Sequence, residues 1–320
     1  MLWLVSFLIA AAQAAPAAQA APAAQAAPVQ VPEKFQMPFS ATNAADAGQW
    51  QESVRARLFE IVQAQNPRKD TPLDVKPGEF SNAGKFQKAP LTFTGNEGQT
   101  IDCWLTRPDG DGPFPAIVCL HGHGGDRDMV HDPASIYKGL AAEFAKRGFV
   151  TLAPTLAHCA YAPNQLWNLM RLVDVLHTLP YVDKSRIGVA GLSMGGEWSM
   201  WLAACDTRVG AAVVSGWMCS TEGVLRVPNC PCWMPPGLLE LCDIAEVHIL
   251  VAPRPLLIGS AISDGCFPID ATQTGFDKVV RGYTALGAVE KVRRHTFPGG
   301  HAWSGEQAYP FLEKALKSKD

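Results

Sequence analysis

A serine in a glycine-rich turn is the first feature of the sequence that could do chemistry. Residues 191–195 read Gly-Leu-Ser-Met-Gly, between a β-rich run at 186–190 and helical sequence that begins at Met194. In that context the pattern Gly-x-Ser-x-Gly predicts a nucleophile elbow, a strained strand-to-helix turn that lifts the serine hydroxyl above the sheet. Glycines flank the serine because side chains there would clash in so tight a turn. We therefore predict that Ser193 is a catalytic nucleophile.

A serine nucleophile needs a base to take its proton and an acid to orient the base. The β-rich run at 255–259 leads to Asp264, and the run at 293–297 leads to His301. The order serine, aspartate, histidine is the one that this type of elbow uses. We predict that His301 is the general base and that Asp264 holds its imidazole. Other residues suit these roles less well because they fall in or beside predicted helices, strands or turns. The rival acids are Asp270 and Asp277, and the rival bases are His177, His248 and His295.

A glycine-rich loop after an earlier strand supplies the remaining part of such a site. The apolar run at 116–120 ends in His-Gly-His-Gly-Gly at 121–125. Glycines let the backbone approach a substrate closely, and backbone N–H groups in this loop can stabilise an oxyanion. We expect an oxyanion hole formed by the amide of Met194 and that of His123, with Gly124 as the alternative to His123.

The same loop raises the alternative of a metal site. Its ligands would be His121 and His123 together with Asp126, Asp128 or His131. Two histidines one residue apart point to opposite sides of an extended chain, and no third ligand among these is compelling. We therefore predict no metal ion and no other cofactor.

The surrounding elements predict how the motifs are brought together. From residue 116 onward, short apolar strands alternate with helical stretches, which is typical of a parallel sheet with helices on both faces. A helix at 44–63 and an antiparallel hairpin of 91–94 with 100–106 precede this region. Ligands of such sheets bind at the carboxyl ends of the strands, where the predicted catalytic residues lie. Further strands are predicted at 149–153 and 211–215, and further helices near 135–146, 165–179, 194–204, 272–286 and 305–317.

These motifs resemble those of the α/β-hydrolase superfamily. The resemblance covers about residues 90–318 and is carried by the serine elbow, the glycine-rich loop, Asp264, Gly-Gly-His at 299–301 and Ala-Pro-Arg-Pro-Leu-Leu-Ile at 252–258. Within the superfamily, the chain is similar to the dienelactone-hydrolase and acetyl-xylan-esterase branch. The resemblance implies an α/β-hydrolase fold and a serine hydrolase that forms an acyl-enzyme, most often on carboxylic esters. Dienelactone hydrolases proper have a cysteine nucleophile, so Ser193 weighs against a dienelactone substrate.

An insertion between two predicted strands, at 217–251, precedes the predicted acid. It contains four prolines, two tryptophans and four of the nine cysteines. Its aromatic side chains are expected either to line a substrate pocket as a lid or to pack the insertion internally. The predicted substrate-binding residues are Trp217 and Trp233 in this lid-like insertion and Trp303 near His301. The cysteines at 219, 230, 232 and 242 suit disulfides better than zinc, because one residue rather than two separates the middle pair.

The first 42 residues are expected to lie outside the catalytic domain, which we place at 43–320. Residues 1–14 combine an apolar run with the triplet Ala-Gln-Ala, as a secretory signal does, and residues 15–42 form an Ala-, Pro- and Gln-rich tether. A membrane anchor is the alternative, but the apolar run is shorter than a bilayer requires. We therefore expect a secreted or periplasmic protein without a transmembrane segment after signal removal.

The composition narrows the classes of function. The 320 residues include 27 basic and 30 acidic side chains, so the chain lacks the basic surplus of a nucleic-acid binder. A hydrophobic content of 48% supports a globular core. We predict a secreted serine esterase that acts on a small-molecule or polysaccharide ester, with acetyl esters as one candidate. The alternatives are a prolyl-oligopeptidase-like serine peptidase and a non-catalytic binding protein on the same scaffold.

Overall fold

A ten-stranded mixed sheet runs through the part of the chain that the computed structural model describes, residues 31–317. The strands are β1 (Lys76–Pro77), β2 (Ser81–Asn82), β3 (Gln87–Thr94), β4 (Thr100–Arg107), β5 (Phe114–Leu120), β6 (Val150–Pro154), β7 (Val182–Leu192), β8 (Val209–Ser215), β9 (Leu256–Ala261) and β10 (Val292–Phe297). Their order in the sheet is β1-β3-β4-β6-β5-β7-β8-β9-β10, and β2 pairs with β3.

Eight α-helices and four 3₁₀ segments accompany these strands between residues 31 and 317. The α-helices are α1 (Ala44–Gln65), α2 (Leu140–Lys146), α3 (Leu166–Thr178), α4 (Met194–Cys205), α5 (Thr221–Leu225), α6 (Leu238–Leu241), α7 (Ile269–Ala285) and α8 (Gly305–Lys317). The 3₁₀ segments are Ala162–Gln165, Pro231–Trp233, Ile244–Val251 and Val289–Lys291. None of the helices in these residues is long and apolar enough to cross a bilayer.

Alternating residues of β5 show why the sheet is covered on both faces. Val118 and Leu120 belong to the core cluster that contains the buried residues of α3 and α4. Ile117 and Cys119 point the other way, into the cluster that contains those of α2 and α8. Strands that are buried on both faces must be apolar throughout, as β5, β6 and β8 nearly are. The predicted mostly parallel sheet with helices on both faces is confirmed.

The order of the strands creates a crevice at the carboxyl end of β5. From β6 through β10 all neighbouring strands are parallel, and β5 lies between β6 and β7. The loops after β5 and β7 therefore leave the same edge side by side, with Leu120 opposite Gly191. The strand order reverses at this point, which is where open α/β sheets bind ligands.

The predicted secondary structure is confirmed for most elements and corrected for one helix. The hairpin of β3 and β4 pairs Leu91 with Cys103, and α1 begins after Asn43, whose side chain accepts a hydrogen bond from the Asp46 amide. The helix predicted near 135–146 begins only at Leu140. Lys138 and Gly139 both have positive φ, at 50° and 65°, and two left-handed residues in succession cannot belong to a right-handed helix.

The predicted tether extends less far than the sequence suggested. The signal segment at 1–14 and tether residues 15–30 lie outside the described residues. The following stretch is described, and the Gln36 and Met37 amides donate to the carbonyl oxygens of Glu240 and Leu241 in α6. Phe39 is buried next to Trp50, with ring centroids 5.0 Å apart. Ending the tether at residue 42 is therefore wrong, because apolar side chains just before α1 pack on the domain.

The insertion at 217–251 is part of the core. Met218 and Leu241 are at most 1% exposed and belong to the cluster beneath α4. Gln51 of α1 donates from Nε2 to the Ile249 carbonyl oxygen at 2.7 Å and fastens the insertion to the N-terminal helix. All nine cysteines lie within the described residues, and all are free thiols, so the structure contains none of the disulfides expected there.

Acidification is expected to destabilise this part of the fold through His248. Its buried imidazole donates from Nδ1 to the Ala245 carbonyl oxygen at 3.0 Å, and its Nε2 has no partner among the described residues. Burial lowers the pKa of His248 from 6.5 to about 4. The folded pKa is below the unfolded one, so the neutral ring stabilises the fold above about pH 6.5. This stabilisation is lost as the pH falls toward 4.

Between pH 7 and pH 5, the loss amounts to about 2 kcal/mol of the free energy of unfolding. Urea denaturation at the two pH values measures it. In His248→Asn, whose side chain keeps a donor but does not titrate, the drop between these pH values should shrink by about that amount. An identical pH dependence in the variant and the wild type would contradict this role of His248.

Candidate active site

Ser193 lies in the strained turn between β7 and α4. Its φ is 64° and its ψ is −130°, a conformation that costs a non-glycine residue energy and that is found mainly at functional sites. A Cβ on Gly195 would come within 2.2 Å of the Leu120 carbonyl oxygen, and one on Gly191 within 2.2 Å of the Gly195 carbonyl oxygen. The turn therefore tolerates only glycine at these two positions, as the sequence motif predicted.

Asp264 and His301, which follow β9 and β10, meet at the same edge of the sheet. His301 Nδ1 lies 2.8 Å from Asp264 Oδ2, and the carboxylate is 3% exposed. The other oxygen, Oδ1, accepts hydrogen bonds from the amides of Cys266 at 2.8 Å and Phe267 at 3.2 Å. Because these amides hold the carboxylate, it presents Oδ2 to the imidazole in one orientation. The two residues lie where the sequence predicted.

Gly216, directly after β8, lies against both the His301 imidazole and the side chain of Leu192. A Cβ on Gly216 would come 3.0 Å from His301 Cε1 and 3.0 Å from Leu192 Cδ1, and the residue has a φ of 56°. The Ser193 amide donates to the carbonyl oxygen of Ser215, which fixes the turn to the same strand. The sequence analysis missed Gly216, although its place directly after an apolar strand was a usable signal.

The glycine-rich loop approaches the serine at Gly122. A Cβ on Gly122 would lie 2.8 Å from Ser193 Cβ. The Gly122 amide donates to the Tyr137 hydroxyl at 2.6 Å, so it is occupied, whereas the His123 amide has no hydrogen-bond partner within residues 31–317. Tyr137 was not found from the sequence, because nothing in its local pattern marks a contact with a loop 15 residues earlier.

The structure does not bring together the metal ligands considered in this loop. His121 is buried, and its Nε2 accepts a hydrogen bond from the Leu156 amide at 3.0 Å. His131 instead faces the Arg127 carbonyl oxygen through Nδ1, and Asp126 accepts from the amides of Asp128 and Met129. His123 Nε2 instead lies 3.2 Å from Cys232 Sγ.

The three predicted tryptophans have different places. Trp217 is 7% exposed and packs edge to face on Phe267, whose ring stacks on the His301 imidazole with centroids 5.9 Å apart. Trp233 packs against Trp217 at 6.2 Å. Trp303 is fully buried, and its indole N–H donates to the Tyr309 hydroxyl at 3.2 Å. Assigning Trp303 to substrate binding is therefore wrong, because no part of its side chain is accessible.

One buried carboxyl near the elbow was not anticipated. Glu197 lies one turn into α4 and is fully buried, and neither of its carboxyl oxygens has a hydrogen-bond partner among residues 31–317. Burial raises its pKa well above the usual range. Burial therefore favours the protonated, neutral form of this carboxyl group beneath the serine turn.

Comparison with known proteins assigns the family. Residues 79–239, about half of the chain, match the family model described as FrsA-like esterase. The chain belongs to the FrsA-like esterase family. It is therefore a carboxylic ester hydrolase, which confirms the predicted class of enzyme and the resemblance to α/β-hydrolases.

Individual relatives agree with this assignment. YtaP of Bacillus subtilis, which is named as a hydrolase, is 26% identical over 246 residues, or 64% of this chain and 80% of YtaP. The glucuronoyl esterase from Solibacter usitatus superposes with a TM-score of 0.67 and 16% identity, covering 88% of this chain and 100% of that one. The acetyl xylan esterase from Paenibacillus sp. R4 gives 0.58 and 18% identity, covering 88% and 98%. At these identities the two solved structures show the fold alone.

Proposed function

We propose that this ester hydrolase works through an acyl-enzyme on Ser193, with His301 as the general base and Asp264 as its orienting acid. The hydrogen bond of 2.8 Å between His301 Nδ1 and Asp264 Oδ2, at the edge that also carries the Ser193 turn, is the observation that carries the proposal. A carboxylate acceptor at Nδ1 keeps the proton on that nitrogen. The lone pair of the imidazole is then on Nε2, where it can accept the serine proton.

The reaction follows from these positions. Ser193 Oγ attacks the ester carbonyl carbon while His301 Nε2 takes its proton, and the carbonyl oxygen becomes an oxyanion. As the tetrahedral intermediate collapses, the imidazolium protonates the departing alcohol and the acyl group stays on Ser193. A water molecule, deprotonated by His301, then attacks the acyl carbonyl carbon. As the bond from that carbon to Ser193 Oγ breaks, the imidazolium returns the proton to Oγ and the carboxylic acid leaves. Asp264 stabilises the imidazolium that forms in both halves of the reaction.

Two backbone amides are proposed to bind the oxyanion. The Met194 amide is at the first residue of α4, where helix N–H groups lack intrahelical partners and the helix dipole favours negative charge. The second donor is the amide of His123, which the structure leaves without a partner among residues 31–317, unlike that of Gly122. Both donors then come from the two backbone segments that meet where Gly122 approaches Ser193.

We further propose a short acyl group, with acetyl esters of polysaccharide as the substrate class. Phe267 stacks on the His301 ring and Trp217 packs on Phe267, and the two side chains are only 6% and 7% exposed, so they form a closed wall rather than a channel for a long acyl chain. By their names, the neighbours from Paenibacillus and Solibacter act on acetyl xylan and glucuronoyl esters, both of which are carbohydrate esters.

A substrate panel tests this proposal. We expect kcat/KM for nitrophenyl acetate to exceed that for nitrophenyl octanoate at least about tenfold, since the extra methylenes find no apolar site. Acetate release from acetylated xylan is expected as well. Preference for a glucuronate methyl ester would contradict the acetyl assignment. Hydrolysis of dipeptide amides in place of esters would favour the peptidase alternative.

We also propose that residues 1–14 direct export of the chain. The support is the apolar run followed by Ala-Gln-Ala. N-terminal sequencing of protein recovered from the periplasm or medium of a bacterial host should then find Ala15 as the first residue. Recovery of the chain only from the cytoplasm with its N-terminal segment intact would contradict export.

A further inference from the structure

Two histidines and two cysteines from three separate loops converge beside the glycine-rich loop. His123 follows β5, His158 follows β6, and Cys230 and Cys232 flank Pro231 in the insertion. Their ligand atoms all lie within 4.8 Å of one another. His123 Nε2 is 3.2 Å from Cys232 Sγ, and His158 Nε2 is 3.5 Å from Cys230 Sγ. Each imidazole thus directs the same nitrogen toward a thiol.

These separations fit a tetrahedral metal centre. With Zn–S bonds of about 2.3 Å and Zn–N bonds of about 2.0–2.1 Å, tetrahedral angles place nitrogen and sulfur about 3.6 Å apart. The two observed N···S distances are within a few tenths of an ångström of that value. Two thiolates and two imidazoles form a donor set that Zn²⁺ prefers, and the thiolate charges balance the charge of the ion.

We propose that His123, His158, Cys230 and Cys232 form a Cys₂His₂ zinc site. Four protein ligands leave no open coordination position, so the ion would be structural and would not bind substrate. Each cysteine loses its thiol proton to solvent as its Zn–S bond forms, so one Zn²⁺ releases two protons and zinc affinity falls with falling pH.

The position of the site indicates what the ion would do. It would cross-link the insertion to the loops after β5 and β6, through side chains that already lie in contact, such as those of His123 and Cys232. The His123 amide is also the second oxyanion donor proposed above, so an ion bound to the His123 side chain would fix the position of that amide. This effect on catalysis rests on the proposed function, whereas zinc binding itself does not.

The sequence disfavoured zinc because of the short spacing between Cys230 and Cys232. That objection does not apply in the structure, where the other two ligands come from different loops. The spacing Cys-Pro-Cys is shorter than that of common zinc motifs within one segment, and both histidines come from elsewhere in the chain. The competing chemistry at this pair of thiols is a disulfide between Cys230 and Cys232. The structure contains both residues as free thiols.

Metal analysis of the purified full-length chain tests the site. After removal of metals under reducing conditions and dialysis against Zn²⁺, we expect one zinc per chain by mass spectrometry. Co²⁺ in its place should show thiolate-to-cobalt charge transfer and the visible bands of tetrahedral cobalt. Zinc affinity should fall by about tenfold to a hundredfold, or more, in each of the variants Cys230→Ser, Cys232→Ser and His158→Ala.

Two control variants test whether the loss of zinc is specific to substitutions of these four residues. Cys159→Ser removes a partly buried thiol that neighbours His158 but is not one of the four ligands, and it should keep full zinc binding. Ser193→Ala should also keep one zinc, so that failure of the esterase proposal and failure of the zinc proposal are distinguishable.

Three outcomes would overturn the proposal. They are absence of stoichiometric zinc in the reduced wild type, undiminished zinc in both cysteine variants, and a Cys230–Cys232 disulfide in the isolated protein. Because a ligand variant that fails to fold is uninformative, the wild type supplies a second measurement. Zn²⁺ should raise its melting temperature under reducing conditions, and no rise in the wild type counts against the site.

Discussion

Ser193→Ala is expected to lower kcat for nitrophenyl acetate at least about a thousandfold, because the variant has no oxygen that can attack the ester carbonyl. The residual rate would come from the oxyanion amides and from substrate positioning, which the substitution leaves in place. KM should change little, since alanine keeps the backbone of the turn. Initial rates at saturating substrate give the ratio of kcat values directly.

Ser185→Ala is the matched control for this experiment. Ser185 lies on the same strand, β7, but near the opposite end from the turn, in the exposed part of the strand, where its hydroxyl donates to Asp183. Its kcat should equal that of the wild type within about twofold. Full activity of Ser193→Ala would show that the esterase does not use this serine, and an equal loss in both variants would point to a folding defect.

Asp264→Asn is expected to lower kcat about 10⁴-fold with little change in KM. The amides of Cys266 and Phe267 require an acceptor at Oδ1, so the asparagine oxygen will occupy that position. Its NH₂ group then faces His301 and donates to Nδ1. The imidazole proton is forced onto Nε2, and that nitrogen is no longer able to accept the proton of Ser193.

Asp270→Asn supplies the control for the acid. Asp270 is exposed and pairs with Arg226 at 2.8 Å on the surface of α7. Exposed ion pairs contribute at most about 1 kcal/mol, so this variant should remain fully active. Comparable losses in kcat for both variants would mean that the acid has been assigned to the wrong residue. Different values of KM with equal kcat would instead indicate a binding role for Asp264.

Features that depend on a few neighbouring residues were accessible from the sequence. The elbow at Ser193 is one of them, because steric crowding in a strand-to-helix turn demands glycine at 191 and 195 whatever surrounds it. The strands at 116–120 and 255–259 are others, since burial on both faces makes them continuously apolar. Parallel pairing places all strand ends at one edge, which is why Asp264 and His301 could be paired before the fold was known.

Residues defined by contacts across the chain were not accessible in this way. Tyr137 bonds to the Gly122 amide, and Phe267 stacks on the imidazole, but neither side chain differs in its local pattern from an ordinary core aromatic. Trp303 was predicted to bind substrate because it lies two residues after His301 in the sequence. In the structure its side chain is instead buried in the core beside α8.

The sequence by itself determined the fold class, the turn that holds Ser193 and the strand ends that carry Asp264 and His301, because local sterics and the period of apolar residues encode them. Only the tertiary structure decided that the insertion packs as core and that Cys230 and Cys232 meet two histidines from other loops. The physical reason is that these contacts depend on how segments far apart in sequence pack on the sheet. The spacing of residues along the chain does not determine that packing.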